Sequence, residues 1–589
     1  MKKSLGFLSV VAVLAASLAG CADTSGQQAL VPGSSLTIGE SGQCASANPA
    51  VLASPGTTRA LNDLATLTLP GFYSHDASGA LVANTEFGSV KQITSQDYSY
   101  TLTGKAKWSD GVAVSPADLA VSWLAATDST PPAADGTLQG FGSSLKLGSL
   151  ALADKISLTK DSVRLHFSKP IADWQTSLGL SVPAHVLAKL ALPYAGLSNQ
   201  DAIQSVLDFA AGVSNTNRSA IAHAFSSAFS APADGTQLPS SLLLTSGAYK
   251  VKSFAVDRVV LAANPGFEAG PKASVERVTL ICFANADELA AAISAKKVDL
   301  ASPTATTMSN LSQLETKAKD AGFSTKIGDS GKNEIVLLNF AGGSVFDPAA
   351  SSAKKAAAAV HAFLKFLPRS GIWSQLAGDK SLKKSDSLVF GSADTEYQAA
   401  VNQNGSSAYQ FQDAESAAED WQNAKFDRTV KLRVLFDATG PRGQLEYTQL
   451  SRLGKLGGFD LENVSSDNPA AVLASGAWDV FITEQGRLAH DLSALSTAVG
   501  ALTGFQDAAA AKIVALNLPK ADGSRSLLDN AVDGKNLDQV LIQSGYGLPL
   551  FETSRLVVWS SKLQNYQPTV GNNSVVWGYS NWSVSGKGK

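Results

Sequence analysis

Apolar and polar positions change period several times along the chain, and each change marks an element. Tyr98, Tyr100 and Leu102 alternate with polar partners and lead to Trp108, and Ser162-Val163-Arg164-Leu165-His166-Phe167 alternates as cleanly. Both read as half-buried strands. Ser109-Asp110-Gly111 is a turn, with glycine available for positive φ. Ser115 then stands as a helix N-cap, Pro116 at the first helical position and Asp118 in capping-box position. Leu119, Val121, Trp123 and Leu124 give that helix apolar surface, whereas the run 126–142, with Pro131-Pro132 and Asp135-Gly136, reads as a surface loop. An earlier helix starts near Thr58 and carries Leu61, Leu64, Ala65 and Leu67. Arg277–Phe283 reads as a strand, a helix opened by Asp287-Glu288-Leu289 follows, and Val298–Ala301 is a second strand, which together make a β-α-β unit.

The second half repeats this logic. Ala356–Leu367 reads as a helix ended by Pro368. Strands at Thr429–Phe436, Phe459–Val464 and Trp478–Thr483 alternate with helices at Gly443–Leu453 and Pro469–Ala474. That β-α-β-α-β run predicts a doubly wound α/β region.

Length changes the picture next: 589 residues exceed what one core fills, so two or more lobes are expected. The formal net charge is -3, and no basic stripe points to nucleic acid. At the start, Lys2 and Lys3 precede an apolar run from Leu5 to Leu18, too short to span a membrane stably, which closes on Leu18-Ala19-Gly20-Cys21. This resembles a bacterial lipobox and implies a signal peptide over 1–20, with Cys21 lipidated. Residues 21–34, mostly small and polar, read as a flexible tether.

Catalytic spacing is missing. The six histidines (His75, His166, His185, His223, His361, His490) are scattered, without a zinc-type H-E-x-x-H or H-x-H pair. No G-x-S-x-G, Walker loop or C-x-x-C occurs, and Ser294-x-x-Lys297 and Ser351-x-x-Lys354 lack the partner motifs of an acyl-enzyme site. We therefore expect no enzyme, no cofactor and no bound metal.

The stretch Trp108-Ser109-Asp110-Gly111-Val112-Ala113-Val114-Ser115-Pro116-Ala117-Asp118-Leu119 resembles a signature of the solute-binding proteins of oligopeptide, dipeptide and nickel ABC importers. A second resemblance, in the same order, is Gly247-Ala248-Tyr249-Lys250-Val251 followed by Arg258-Val259-Val260-Leu261-Ala262-Ala263-Asn264-Pro265. Pro183-Ala184-His185-Val186 also resembles a family segment, which implies that His185 is a structural residue at a helix start.

The resemblance implies an α/β, two-lobed periplasmic-binding-protein-like fold of type II with an extra subdomain inserted in the first lobe. Lobe I would comprise 35–75, 161–327 and 552–589, the insert 76–160 and lobe II 328–551, the chain crossing between lobes around 327–333. Ligand would lie between the lobes, against Ser54, Pro55, Gly56 and Thr57 of lobe I and Asn339, Glu484, Gln485, Arg487 and Phe551. The family's W-x-A-D, which supplies a carboxylate to the ligand's amino terminus, is absent around Ile482–Leu488. Glu484 could supply that carboxylate instead, and Arg487 could hold a ligand carboxylate. Tyr249 and Trp373 stand between core and cleft roles. Cys44 follows the first strand and Cys282 lies in the strand Arg277–Phe283; in the family fold these two strands belong to one lobe, which leaves a structural disulfide or two buried thiols.

The implied function is a lipid-anchored, monomeric receptor on the outer face of the cell membrane. It would deliver oligopeptides to an ABC permease and its ATPase. The same fold would also suit a nickel chelate, haem, glutathione or a sugar, and a surface lipoprotein outside transport is the reading from another class.

Overall fold

The computed structural model describes residues 28–585, except 51–54, 129–139, 142–148, 193–195, 214–217, 306–308, 377, 378, 380, 424, 427–429, 439, 440, 455, 456, 466–471, 474, 492, 493, 496–502, 518–529, 570, 572 and 573. The signal segment with Cys21, the site residue Ser54 and most of the predicted helix Pro469–Ala474 therefore lie outside the described residues. Among those described, no helix is long and apolar enough to cross a membrane.

One 11-stranded mixed sheet runs through both lobes. Its order is Phe459–Asn463, Val430–Leu435, Val480–Gly486, Ser324–Leu338, Gly547–Trp559, Leu300–Ala301, Val31–Ser41, Val275–Phe283, Arg258–Ala263 and Tyr249–Ala255, with Lys383–Lys384 off the path on Gly547–Trp559. Two long antiparallel strands, Ser324–Leu338 and Gly547–Trp559, occupy the centre and cross from one lobe to the other. On one side of the crossing the core gathers Leu36, Ile38, Val278, Leu280 and Val557. On the other it gathers Val336, Leu338, Phe363, Leu432, Val434, Val480 and Leu548. Two cores joined by two strands make a two-lobed α/β molecule, as the length and periodicity predict.

The crossing strands are not in continuous register. Asp329 pairs with Ser554 and Asn333 with Glu552, so Ser330, Gly331 and Lys332 form a bulge at the lobe junction. Gly331 has φ +76°, a conformation that favours glycine. Ser330 and Thr553 tie the two strands across the bulge by a hydroxyl–hydroxyl bond of 2.7 Å.

One strand departs from its expected sheet. Ser162–Phe167 does not rejoin the large sheet: it pairs with Asp97–Leu102 and Ala153–Leu158 inside a separate four-stranded sheet with Gly88–Gln92. Its clean alternation reported a strand with one buried face, a property that either sheet would satisfy. The helix Pro116–Thr127 packs with helices Ala184–Ala191, Asn199–Ala210 and Arg218–Ser227 around Phe141, Leu187, Val206 and Phe225.

Two further boundaries shift. The first strand starts at Val31 instead of Leu36, taking the end of the expected tether into the sheet. The first helix starts at Pro55, so Pro55, Gly56 and Thr57 form its opening turn and not a loop. Cys44 and Cys282 are joined as a disulfide, with Cα atoms 5.6 Å apart, tying the segment after the first strand to Val275–Phe283.

Candidate functional site

The W-S-D-G turn folds as its residues dictate, and Asp118 is the reason. This fully buried carboxylate accepts from Trp108 Nε1 (3.2 Å), from the backbone N–H of Ser115 (2.7 Å) and from that of Ala184 (2.8 Å). It thus closes the helix's capping box and pins the next helix to it. His185 lies within 2.9 Å of Asp110. The signature is a structural clasp, and His185 belongs to it.

Charged side chains converge instead at the crossing strands. From lobe II, Glu484 and Glu334 lie opposite each other on adjacent strands, and Phe551 pairs with Glu334 from the other side. Arg442, in the first turn of the helix Pro441–Gly454, reaches over this row. Its guanidinium donates to Glu334 and, at 2.9 Å, to Glu484, and it sits 5.6 Å from the centre of the Phe551 ring. Glu446, one helical turn on, is fully buried; its nearest oxygen is 4.0 Å from Arg442 Nε, and neither oxygen has a hydrogen-bond partner among the described residues.

Three carboxyls around one guanidinium cannot all ionise at low cost. Burial and the neighbouring Glu484 push Glu334 up to about 7 against the pull of Arg442. Burial, then Glu334, raises Glu446 well above the ordinary carboxylate range. Burial would also raise Glu484, yet Arg442, Lys332 and Arg59 hold it below its usual value. Glu484 is the ionised member, and its side chain is 39% exposed.

Lobe I answers with cations. Arg59, on the first helix, donates to the carbonyl of Ser302. Arg555, on the second crossing strand and 7% exposed, donates through Nε to the Ser302 hydroxyl at 2.8 Å. Behind them Glu40 and Asp63 are fully buried and hydrogen-bond to each other. Burial, and then the charge of Asp63, raises Glu40 well above the carboxylate range, so this pair retains a proton. Arg59 acts electrostatically on Glu484 across the lobes, and both Arg59 and Arg555 act on Lys332 in the bulge. The two clusters therefore face one junction.

The predicted site residues separate at this level. Glu484 stands exposed at the junction, and Gln485 next to it donates to Tyr546 Oη at 3.0 Å. Asn339 is buried and bridges locally, donating to the carbonyl of Trp478 at 2.8 Å and accepting from Ala341 N–H. Arg487 is 3% exposed and paired with Asp329, with a further bond to the Lys332 carbonyl. Phe551 is fully buried in the lobe II core. Side chains of Pro55, Gly56 and Thr57 are not described. Tyr249 lies wholly in the lobe I core, and Trp373 packs against that of lobe II.

Arg59, Arg442, Arg555 and Glu334 escape the sequence reading. None of them is set apart in the sequence: even Arg555 follows the polar Glu552-Thr553-Ser554 and merely precedes the apolar run Leu556–Trp559. Among the described residues, no group of three or more His, Cys, Asp or Glu could hold a metal ion.

Residues 91–483 match the family model described as bacterial extracellular solute-binding proteins, family 5, middle region. No curated protein matches the chain. Among solved structures, a periplasmic EDTA-binding protein, EppA, superposes with TM-score 0.64 at 15% identity, over 96% of this chain and 98% of its own. OppA of Haemophilus influenzae, complexed with RPPGFSPFR, gives 0.62 at 13% identity, over 94% and 99%. AppA of Bacillus subtilis, complexed with a nonapeptide, gives 0.61 at 12% identity, over 95% and 100%. At such identities the likeness is one of fold.

Proposed function

The chain belongs to family 5 of the bacterial extracellular solute-binding proteins, the binding components of ABC importers, and from that premise we propose that it captures oligopeptides between its lobes. It hands them to a membrane permease driven by a separate ATPase. Lipid on Cys21 holds it to the outer face of the cell membrane. It works as a monomer and performs no catalysis.

The observation that carries this reading is the junction itself. Two lobes are linked by two crossing strands whose register slips at Ser330–Lys332, and charged groups from both lobes flank that slip. A solute between the lobes would replace water around Glu484 and the cations opposite, so closure would couple to filling the cleft. Two structural neighbours with peptide ligands, OppA and AppA, support the oligopeptide assignment. Within the site, Glu484 takes the ligand's amino terminus, the role its exposure and retained charge fit. Gln485 adds an amide contact.

The test is mass spectrometry of solute released on denaturing the full chain, purified in detergent from cells grown on rich medium. A ladder of short peptides is the expected result. One defined non-peptide species would retain transport and replace the ligand. An empty protein without a thermal shift in peptide pools would overturn the importer role.

A further inference from the structure

Arg555 is a buried cation with most of its donors idle. A guanidinium offers five N–H groups in a planar fork. Nε is used on Ser302, but neither Nη1 nor Nη2 has a hydrogen-bond partner among the described residues. Burying such a group without partners is costly, and native proteins seldom leave it so. Its acidic neighbours do not satisfy it. Glu40 and Asp63 hydrogen-bond to each other, and Asp63 also accepts from Val575 N–H.

Two further cations lie nearby. Arg59 is anchored on the same Ser302 through its carbonyl, and Lys332 projects from the bulge one strand away. Burial and then repulsion from Arg59 lower the Arg555 guanidinium to about 10, which is still protonated at neutral pH. Cations thus gather from a helix, a crossing strand and the bulge.

We propose that Arg555, supported by Arg59, forms a subsite for a carboxylate of the bound solute, and that the protein selects acidic solutes or free carboxyl termini. The Nη1–Nη2 fork matches two carboxylate oxygens side by side. The site adjoins the register slip, so lobe closure would seal the ion pair from water and strengthen it. Arg487, which the sequence offers for this role, is already paired with Asp329. The assignment rests on the solute-binding reading and names its ligand class.

Calorimetry on the full chain, freed of co-purified solute, separates the two readings. The probes are pools of tri- to pentapeptides with free carboxyl termini, the same pools amidated, each with and without acidic side chains, and citrate and EDTA as non-peptide polycarboxylates. Free acids are expected to bind about 10- to 100-fold more tightly than peptides lacking every carboxylate, the weight of a charge-assisted bond. Arg555→Gln should erase that difference in a chain that still folds, since the losses are one bond to Ser302 and the charge beside Glu40 and Asp63. If Arg555→Gln does not fold, Arg59→Gln, at a half-buried position, should reduce the same difference.

Equal binding of acids and amides, or wild-type affinity for free acids in Arg555→Gln, would overturn the subsite and leave the peptide reading intact. Citrate or EDTA binding that Arg555→Gln abolishes, with no peptide bound, would uphold the subsite and overturn the peptide reading. Binding of no probe would overturn both.

Discussion

Asp118 and Glu334 are both buried carboxyls, and they meet burial in different ways. Asp118 is saturated with hydrogen bonds from Trp108, Ser115 and Ala184. Removing it leaves those donors stranded in the core, so Asp118→Ala is expected to destabilise the insert by about 3 kcal/mol. Urea denaturation followed by tryptophan fluorescence would measure this, and Asp118→Asn should cost less. Glu334 instead competes with Glu484 and Glu446 for one arginine. Its folded-state value of about 7 lies above the ordinary 4.5, so between these the native state holds a proton that the unfolded chain has released. Stability from this group is therefore greatest at low pH and falls as pH rises from about 4.5 to 7, by on the order of 3 kcal/mol. Glu334→Gln should flatten that part of the profile, and unchanged curvature would show that Glu334 does not titrate there.

At the scale of elements, the crossing strands and the disulfide carry the testable mechanics. Gly331 sits at φ +76° in the bulge that lets the strands change register. A β-branched residue avoids that conformation, so Gly331→Val is expected to cost about 1–2 kcal/mol. Placed at the lobe junction, it should also slow or block closure, read by small-angle scattering with and without peptide. The Cys44–Cys282 bridge spans 238 residues of sequence and closes most of lobe I with its insert. Cys282→Ala should lower stability by about 2–5 kcal/mol. A melting temperature that does not move on reduction would show that the bridge constrains little.

These elements were unequally legible. Trp108 to Leu119 could be read residue by residue, because a turn and a capping box are satisfied within a few positions. Ser162–Phe167 was visible as a strand but not as a member of the small sheet, because alternation specifies a buried face and not the neighbour that buries it. Arg487 looked available in sequence and is consumed by Asp329, more than 150 positions away.

For the whole molecule, the expected signature is compaction. A solute bridging Glu484 in lobe II and Arg555 in lobe I should draw the lobes together, reducing the radius of gyration on addition of peptide. By itself the sequence determined what depends on neighbours along the chain: the periods of strands and helices, the clasp around Asp118, the length that demands two cores, and the motifs that carry the family resemblance. Tertiary structure alone decided which charges share the junction. Arg59, Glu334, Arg442, Glu484 and Arg555 come from five distant segments, and what each does depends on separation and burial, because electrostatic energy scales inversely with distance and local dielectric. Neither quantity is written in sequence order.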